Sequence, residues 1–315
     1  MPKLVSTSRE CQISGSNQAY IVSEKDRHGK PLRNVISQES GLIFVDPVPF
    51  ENTEEFYKTE YRKSYKGVHK PKPKHIFRAG NIALERHDRI RSLIGEKAVT
   101  LDAGSSSGEF VYLMQKRGHL AEGIEANLPY AEYSRSELQI NVSIQPFSEF
   151  PIEEKFDLIT MFHVLEHLEH PVRDLMSLSK TLKPDGHFVI EVPNILYPCM
   201  AFSHKWHPGH LFSYTAETLS DLMKQVGFET IRCSPIGDGG NLWGVFRKSE
   251  KENTVRFDAK REEAMAVVSQ LRSDGRLYYL NSRNYLKIFG KLRRQLIEKK
   301  SSKGKSGREI LDKLY

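Results

Sequence analysis

The chain has 315 residues, 38% of them hydrophobic and 28% charged, with 47 Lys plus Arg against 40 Asp plus Glu. That is enough for one sizeable α/β core with appendages. The sequence has no run of about 18 apolar residues, and its first thirty positions lack the apolar core of a signal peptide, so neither a spanning segment nor secretion is indicated and a cytoplasmic protein is expected. Three cysteines, Cys11, Cys199 and Cys233, are far apart and odd in number, against a disulfide framework. Residues 1–75 carry strand-like fragments at 18–22 and 42–45 and read as a small N-terminal module. Within it, Cys11-Gln-Ile-Ser14-Gly15 and Ser37-Gln-Glu-Ser40-Gly41 have the outline of two Cys-x2-Cys-Gly knuckles at a structural zinc spacing. Only Cys11 supplies a thiol, and neutral hydroxyls do not hold zinc tetrahedrally, so a knuckle-like fold without metal is expected. A coincidence of Ser-Gly turns is the alternative. Tyr57, Tyr61 and Tyr65 then share one helical face, a Pro-interleaved basic linker covers Lys70–Lys74, and a helical period over 76–94 ends at Gly95.

From there the pattern alternates strand and helix: strand 98–102, helix 108–117, strand 120–125, helix 128–138, strand 142–145 and strand 156–162. A helix over 175–182, a Pro184-Asp185-Gly186 turn, strand 187–192 and a helix from Thr215 follow. The order ends with strands 228–234 and 241–247 around a Gly-rich turn. Such alternation builds a parallel sheet with helices on both faces. Val99–Phe110 reads Val-Thr-Leu-Asp-Ala-Gly-Ser-Ser-Ser-Gly-Glu-Phe, a strand turning through small residues into a helix, and Glu125 stands where a crevice of this kind wants a carboxylate for two ribose hydroxyls. Ser106 and Glu109 occupy positions that a dinucleotide fingerprint gives to glycine, and a carboxylate at the helix start repels phosphate. The cofactor expected is one with an amino-acid head and a ribose. After the fourth strand comes His163-Val-Leu-Glu166-His167-Leu-Glu-His170-Pro171, at the carboxyl end where open sheets bind ligands. His163 and His167, at i and i+4, invite a zinc reading, but the His-Glu-x-x-His order is absent and a third ligand would have to come from elsewhere, so no metal is expected. Imidazole titrates near neutrality, which suits His163 to a general-base or orienting role, while Glu166 and His167 also suit a purely structural cap.

The glycine turn resembles motif I of the class I S-adenosylmethionine-dependent methyltransferases, with Ser106 in place of the middle glycine. His163–Pro171 is similar to the strand-four motif of the subset that ends in Leu-Glu-His. His210-Leu-Phe-Ser-Tyr, within the insertion 195–213, resembles the segment before that subset's sixth strand. The resemblance implies a seven-stranded Rossmann-like sheet, mostly parallel with its last strand antiparallel. It implies S-adenosylmethionine held by Asp102, Gly104, Ser105, Ser106, Gly108, Glu125, Phe147 and Phe162. His163, His210 and His167 become the catalytic candidates, Tyr61, Arg62 and Tyr65 a lid, and the degenerate knuckles a relic of the zinc-binding leader in methyltransferases of polysaccharide gene clusters. The expected domains are 1–75, a methyltransferase domain over 76–249 and a basic helical extension over 250–315.

The implied activity is methylation, favouring oxygen, of a small-molecule or sugar acceptor, with carbon open. No Asp/Asn-Pro-Pro-Tyr/Phe follows strand four, against methylation of a base's exocyclic amine. Residues 251–315 hold 17 Lys plus Arg against 8 Asp plus Glu, so the basic surplus belongs to this tail. Its stripe of Tyr285, Ile288, Phe289, Leu292 and Leu296 leaves open packing on the domain, a homodimer, a peripheral membrane contact or an acidic partner. RNA binding through the tail, and a cofactor-binding scaffold without catalysis, are the rival readings.

Overall fold

The computed structural model describes residues 2–55, 70–249, 261–278 and 283–315, with side chains described for all of these except 54, 261, 276–277, 283–289 and 291–292. The proposed lid residues Tyr61, Arg62 and Tyr65 lie outside the described residues, as do the side chains of Tyr285, Ile288, Phe289 and Leu292. Cα packing divides the chain into two compact units.

The first unit comprises Met1–Glu51, His163–Met176 and Ile190–Leu286. Strands β1 (Leu4–Ser6), β2 (Gln18–Lys25), β3 (Pro31–Ser37) and β4 (Ile43–Val45) form an antiparallel meander. The knuckle residues meet in pairs, Cys11 Sγ 3.2 Å from Ser40 Oγ and Ser14 Oγ 3.4 Å from Ser37 Oγ. The N–H groups of Gly15 and Gly41, both at φ +71°, donate back to the Cys11 and Ser37 carbonyls. The Cys11 side chain and three hydroxyls thus meet in two pairs. The core of this unit joins distant stretches: Tyr20, Val22, Ile36 and Ile43 pack with Ile195, Trp206, Ala264, Val268 and Leu271.

The second unit comprises Asn52–Phe162, Ser177–Val189 and Lys287–Tyr315. It holds β5 (Val99–Ala103), β6 (Leu120–Ile124), β7 (Val142–Ser143) and β8 (Phe156–Phe162), in the parallel pairs β5–β6, β5–β8 and β6–β7. With β9 (Leu182–Pro193), β11 (Phe228–Ile236) and β12 (Asn241–Lys248), they make a seven-stranded sheet in the order β11-β12-β9-β8-β5-β6-β7. The β11–β12 pair is antiparallel. This is the Rossmann-like methyltransferase sheet expected. A further strand, β10 (Phe212–Ser213), pairs with β4 in the first unit, Phe212 opposite Phe44.

Three helices differ from expectation. The one expected over 175–182 runs Pro171–Ser179, and the expected turn at Pro184–Gly186 is part of β9. The one expected over 76–94 runs Pro73–Ile90 and stops short of Gly95, because Ile90 is its last fully buried position and the chain turns through Arg91–Leu93. The expected 128–138 helix is α-helical over Leu128–Tyr133 and widens into a π turn over Ser134–Leu138, where the Ser134 hydroxyl bonds the Tyr130 carbonyl at 2.9 Å. The end of the tail is tied into this unit. Tyr315 donates to the Glu109 carbonyl at 2.9 Å, Tyr112 to Asp312 at 2.6 Å, and Arg78 clasps Glu298 through two bonds of 2.7 and 2.6 Å. Leu296, the stripe's described side chain, is exposed. Among the described residues no helix is long and apolar enough to cross a membrane.

Candidate active site

In the second unit, β5 delivers Asp102 to the sheet's carboxyl edge, and the chain then turns at Gly104 (φ +84°), Ser106 (φ +52°) and Gly108 (φ +81°) before the helix Glu109–Lys116. Ser106 adopts the left-handed conformation that glycine enters freely, a cost of about 1–2 kcal/mol. At Gly108 a side chain has no room, since a Cβ would stand 2.4 Å from Ile140 Cδ1. Glu125, buried just beyond β6, accepts the Ser106 N–H at 2.7 Å on one oxygen and the Asn127 N–H at 2.8 Å on the other. These bonds fix the plane of a carboxylate that offers about four acceptor sites in all. Ser105 is buried in the same turn, and its hydroxyl lies 2.5 Å from where a Gly123 Cβ would be, so both the turn and the adjacent strand need small residues.

Asp102 accepts a 2.7 Å hydrogen bond from Thr160 on β8. Burial pushes its pKa up to about 6 against the lowering effect of Thr160 and of Arg86. Phe162 ends β8, stands edge-on to Phe110 with centroids 5.1 Å apart, and is capped by the Arg86 guanidinium at 4.1 Å. Phe147 is half-buried at the start of the short turn Phe147–Glu149 after β7.

The first unit gathers the histidines. His163 is a non-glycine residue at φ +56°, strain of a kind that clusters at functional sites. Its N–H donates to the Glu191 carbonyl at 2.8 Å, and its ring stands between two carboxylates, Nδ1 3.4 Å from Glu166 and Nε2 3.4 Å from Glu191. Burial opposes a charge on this ring, but the bonds to Glu166 and Glu191 outweigh it and push the pKa up to about 9. The near-neutral titration expected of His163 is thereby displaced upward. His210 is the opposite case: burial, then the neighbouring His167 and His207, hold its pKa well below the ordinary value. Its ring stacks on His207 with centroids 4.3 Å apart and meets His167 edge-on at 4.9 Å. His167 Nδ1 lies 2.6 Å from the Gly209 carbonyl, and Glu166 accepts the Leu211 N–H on its own carbonyl.

The predicted cofactor residues Asp102, Gly104, Ser105, Ser106, Gly108, Glu125 and Phe162 thus belong to one unit, and His163, His167 and His210 form one cluster in the other. Sequence reasoning missed Arg86, Thr160 and Glu191. Glu191 carried a signal, being the one charged residue in the apolar run Phe188–Val192.

A family model described as a methyltransferase domain matches residues 77–232. The chain carries a class I S-adenosylmethionine-dependent methyltransferase domain. Among relatives of the methyltransferase, a protein of Mycolicibacterium smegmatis described as a probable S-adenosylmethionine-dependent methyltransferase is 20% identical over 206 residues, covering 62% of this chain and 80% of its own. A ubiquinone biosynthesis O-methyltransferase of Actinobacillus pleuropneumoniae is 29% identical over 109 residues. That match covers 31% of this chain and spans less than half, 46%, of the relative's length. A solved Burkholderia thailandensis 1,6-didemethyltoxoflavin-N1-methyltransferase, with S-adenosylhomocysteine bound, aligns at a TM-score of 0.47 and 18% identity over 68% of this chain and 98% of its own. The cradle fits the cofactor of the family: a buried carboxylate aligned by two backbone N–H groups, and a turn in which Gly108 admits no side chain.

Proposed function

We propose that the methyltransferase O-methylates a small hydroxylated acceptor, a sugar or another small molecule, in a cytoplasmic setting that its three far-spaced cysteines suit. The observation that carries this reading is the buried Glu125 carboxylate aligned by two backbone N–H groups; the cluster His163, Glu166, His167, Glu191 and His210, which begins at the residue after β8, supplies the candidates for the acceptor side. The ubiquinone relative's named activity favours oxygen.

In this reading Glu125 accepts the ribose hydroxyls, Asp102 faces the cationic amino-acid head, Ser105 and Ser106 line the turn, and Phe147 and Phe162 flank the adenine and sulfonium ends. S-adenosylmethionine supplies the methyl group. The chain's own task is alignment: Glu166 and Glu191 fix the His163 ring, and His163, His167 and His210 orient the acceptor oxygen and the path of its proton. Incubation with labelled S-adenosylmethionine and pools of hydroxylated sugars and phenols tests it. Label should enter an ether oxygen of one acceptor class. Label in a carbon–methyl bond would replace oxygen by carbon, and cofactor binding without turnover on any pool would favour the scaffold reading.

A further inference from the structure

We propose that Glu166, His167 and His210 hold one divalent first-row metal ion. The proposal deepens the acceptor-site reading above and rests on it for its role in catalysis, but not for the binding itself. One ligand atom from each of the three residues lies within 4.8 Å of the others, close enough for small side-chain shifts to bring them to one ion. Of the two imidazoles four residues apart in the sequence, His163 and His167, only His167 belongs to this set. The fold brings His210 from 43 residues downstream and Glu166 from the same turn.

Two further observations point to a ligand. Glu166 is 1% exposed, and its Oε2 is buried with no hydrogen-bond partner among the described residues. A buried carboxylate oxygen without a partner carries a desolvation cost that a cation at this point would offset. The second observation is the tautomer of His167. A carbonyl can only accept, so the 2.6 Å contact with Gly209 places a proton on Nδ1, while Nε2 is the nitrogen that faces Glu166 at 3.9 Å. A ring whose far nitrogen donates to a backbone carbonyl is the usual orienting arrangement for a metal-bound histidine.

Two imidazoles and a carboxylate select a borderline ion such as zinc, iron or cobalt over magnesium or calcium, and three protein ligands leave coordination positions open. An acceptor hydroxyl bound there would lose its proton to solvent more readily. Its oxygen would then form the C–O bond as the methyl C–S bond breaks, the electron pair staying on sulfur and S-adenosylhomocysteine leaving. This site is separate from the knuckle residues.

The test is a titration of the metal-stripped full-length protein with Co²⁺, followed by visible absorption, with Zn²⁺ as competitor and Mg²⁺ as control. One Co²⁺ per chain should bind with a d–d band, Zn²⁺ should displace it and Mg²⁺ should not. The near-isosteric Glu166→Gln and His167→Gln should each weaken Co²⁺ binding by roughly 100-fold or more, beyond the 10–100-fold typical of an orienting partner. Cys11→Ser should leave it unchanged. Absence of a Co²⁺ band in the wild-type protein, or affinity unmoved in a folded Glu166→Gln or His167→Gln variant, overturns the proposal. Should either variant fail to fold, the other and His210→Asn decide it. S-adenosylmethionine calorimetry on the same samples separates the two failures: cofactor binding without Co²⁺ binding sinks the metal site alone, whereas loss of cofactor binding in the wild-type protein sinks the methyltransferase reading.

Discussion

The proposed cofactor cradle and the histidine cluster are built in opposite ways. The cradle is local: Asp102, Gly104–Gly108 and Glu125 fall within one strand-turn-helix-strand unit, and its working parts are backbone N–H groups and positions where no side chain fits. The cluster is assembled from three distant stretches, 163–167, Glu191 and 207–210, and its members are buried titratable groups that set one another's proton affinity. The first kind of site tolerates Ser106 in place of glycine at small conformational cost. The second kind tolerates little, because each member is the partner of another.

If the two regions divide the work as this contrast implies, variants in one should leave the other's readout intact. The largest effect expected is in the cluster. His210→Gln should reduce turnover about 10²- to 10⁴-fold, and His163→Gln by a similar factor, with S-adenosylmethionine affinity unchanged. Calorimetry beside a turnover assay checks this, and a parallel loss of cofactor affinity would erase the division. Next in size is Gly108→Val, which places a branched side chain at φ +81° against Ile140; about 2–4 kcal/mol of stability should be lost in thermal or urea unfolding. Full stability in that variant would mean that the turn relaxes more easily than its contacts imply.

A smaller effect is expected from Asp102. Its pKa of about 6 lies above the ordinary 3.8, so the native state holds this proton more tightly than the unfolded chain does. Its contribution to stability is therefore present below about pH 4 and is lost as pH rises through about 6. Cofactor binding should show the reverse trend, because a cationic head favours the ionised carboxylate: affinity should fall about 10-fold from pH 7 to pH 5 and flatten above neutrality. Asp102→Asn should abolish that slope. A slope unchanged in the variant would place the titrating group elsewhere.

The same contrast explains what was legible in the sequence. The β5 turn, Glu125 and the β8 strand could be read because hydrophobic period, small-residue spacing and strand ends are local signals, and β8 falls at 156–162 as expected. Three features could not. β10 pairs with β4 from nearly 170 residues away, a two-residue strand whose partner no local pattern names. The left-handed backbone of His163 and its position between two carboxylates depend on Glu191, which local alternation shows only as a polar interruption of a strand. The C-terminal helix Gly307–Leu314 closes onto the helix that follows the glycine turn through Tyr315 and Asp312, contacts that a basic composition conceals.

The central claim is that the glycine turn and Glu125 form the S-adenosylmethionine site, and it is tested most directly by isothermal titration calorimetry of that ligand against the wild-type protein and Glu125→Ala. Loss of a charged acceptor for two ribose hydroxyls should cost about 1.5–3 kcal/mol. The account therefore predicts one site per chain in the wild type and a dissociation constant about 10- to 150-fold higher in the variant. Equal affinity in a folded Glu125→Ala protein would contradict it.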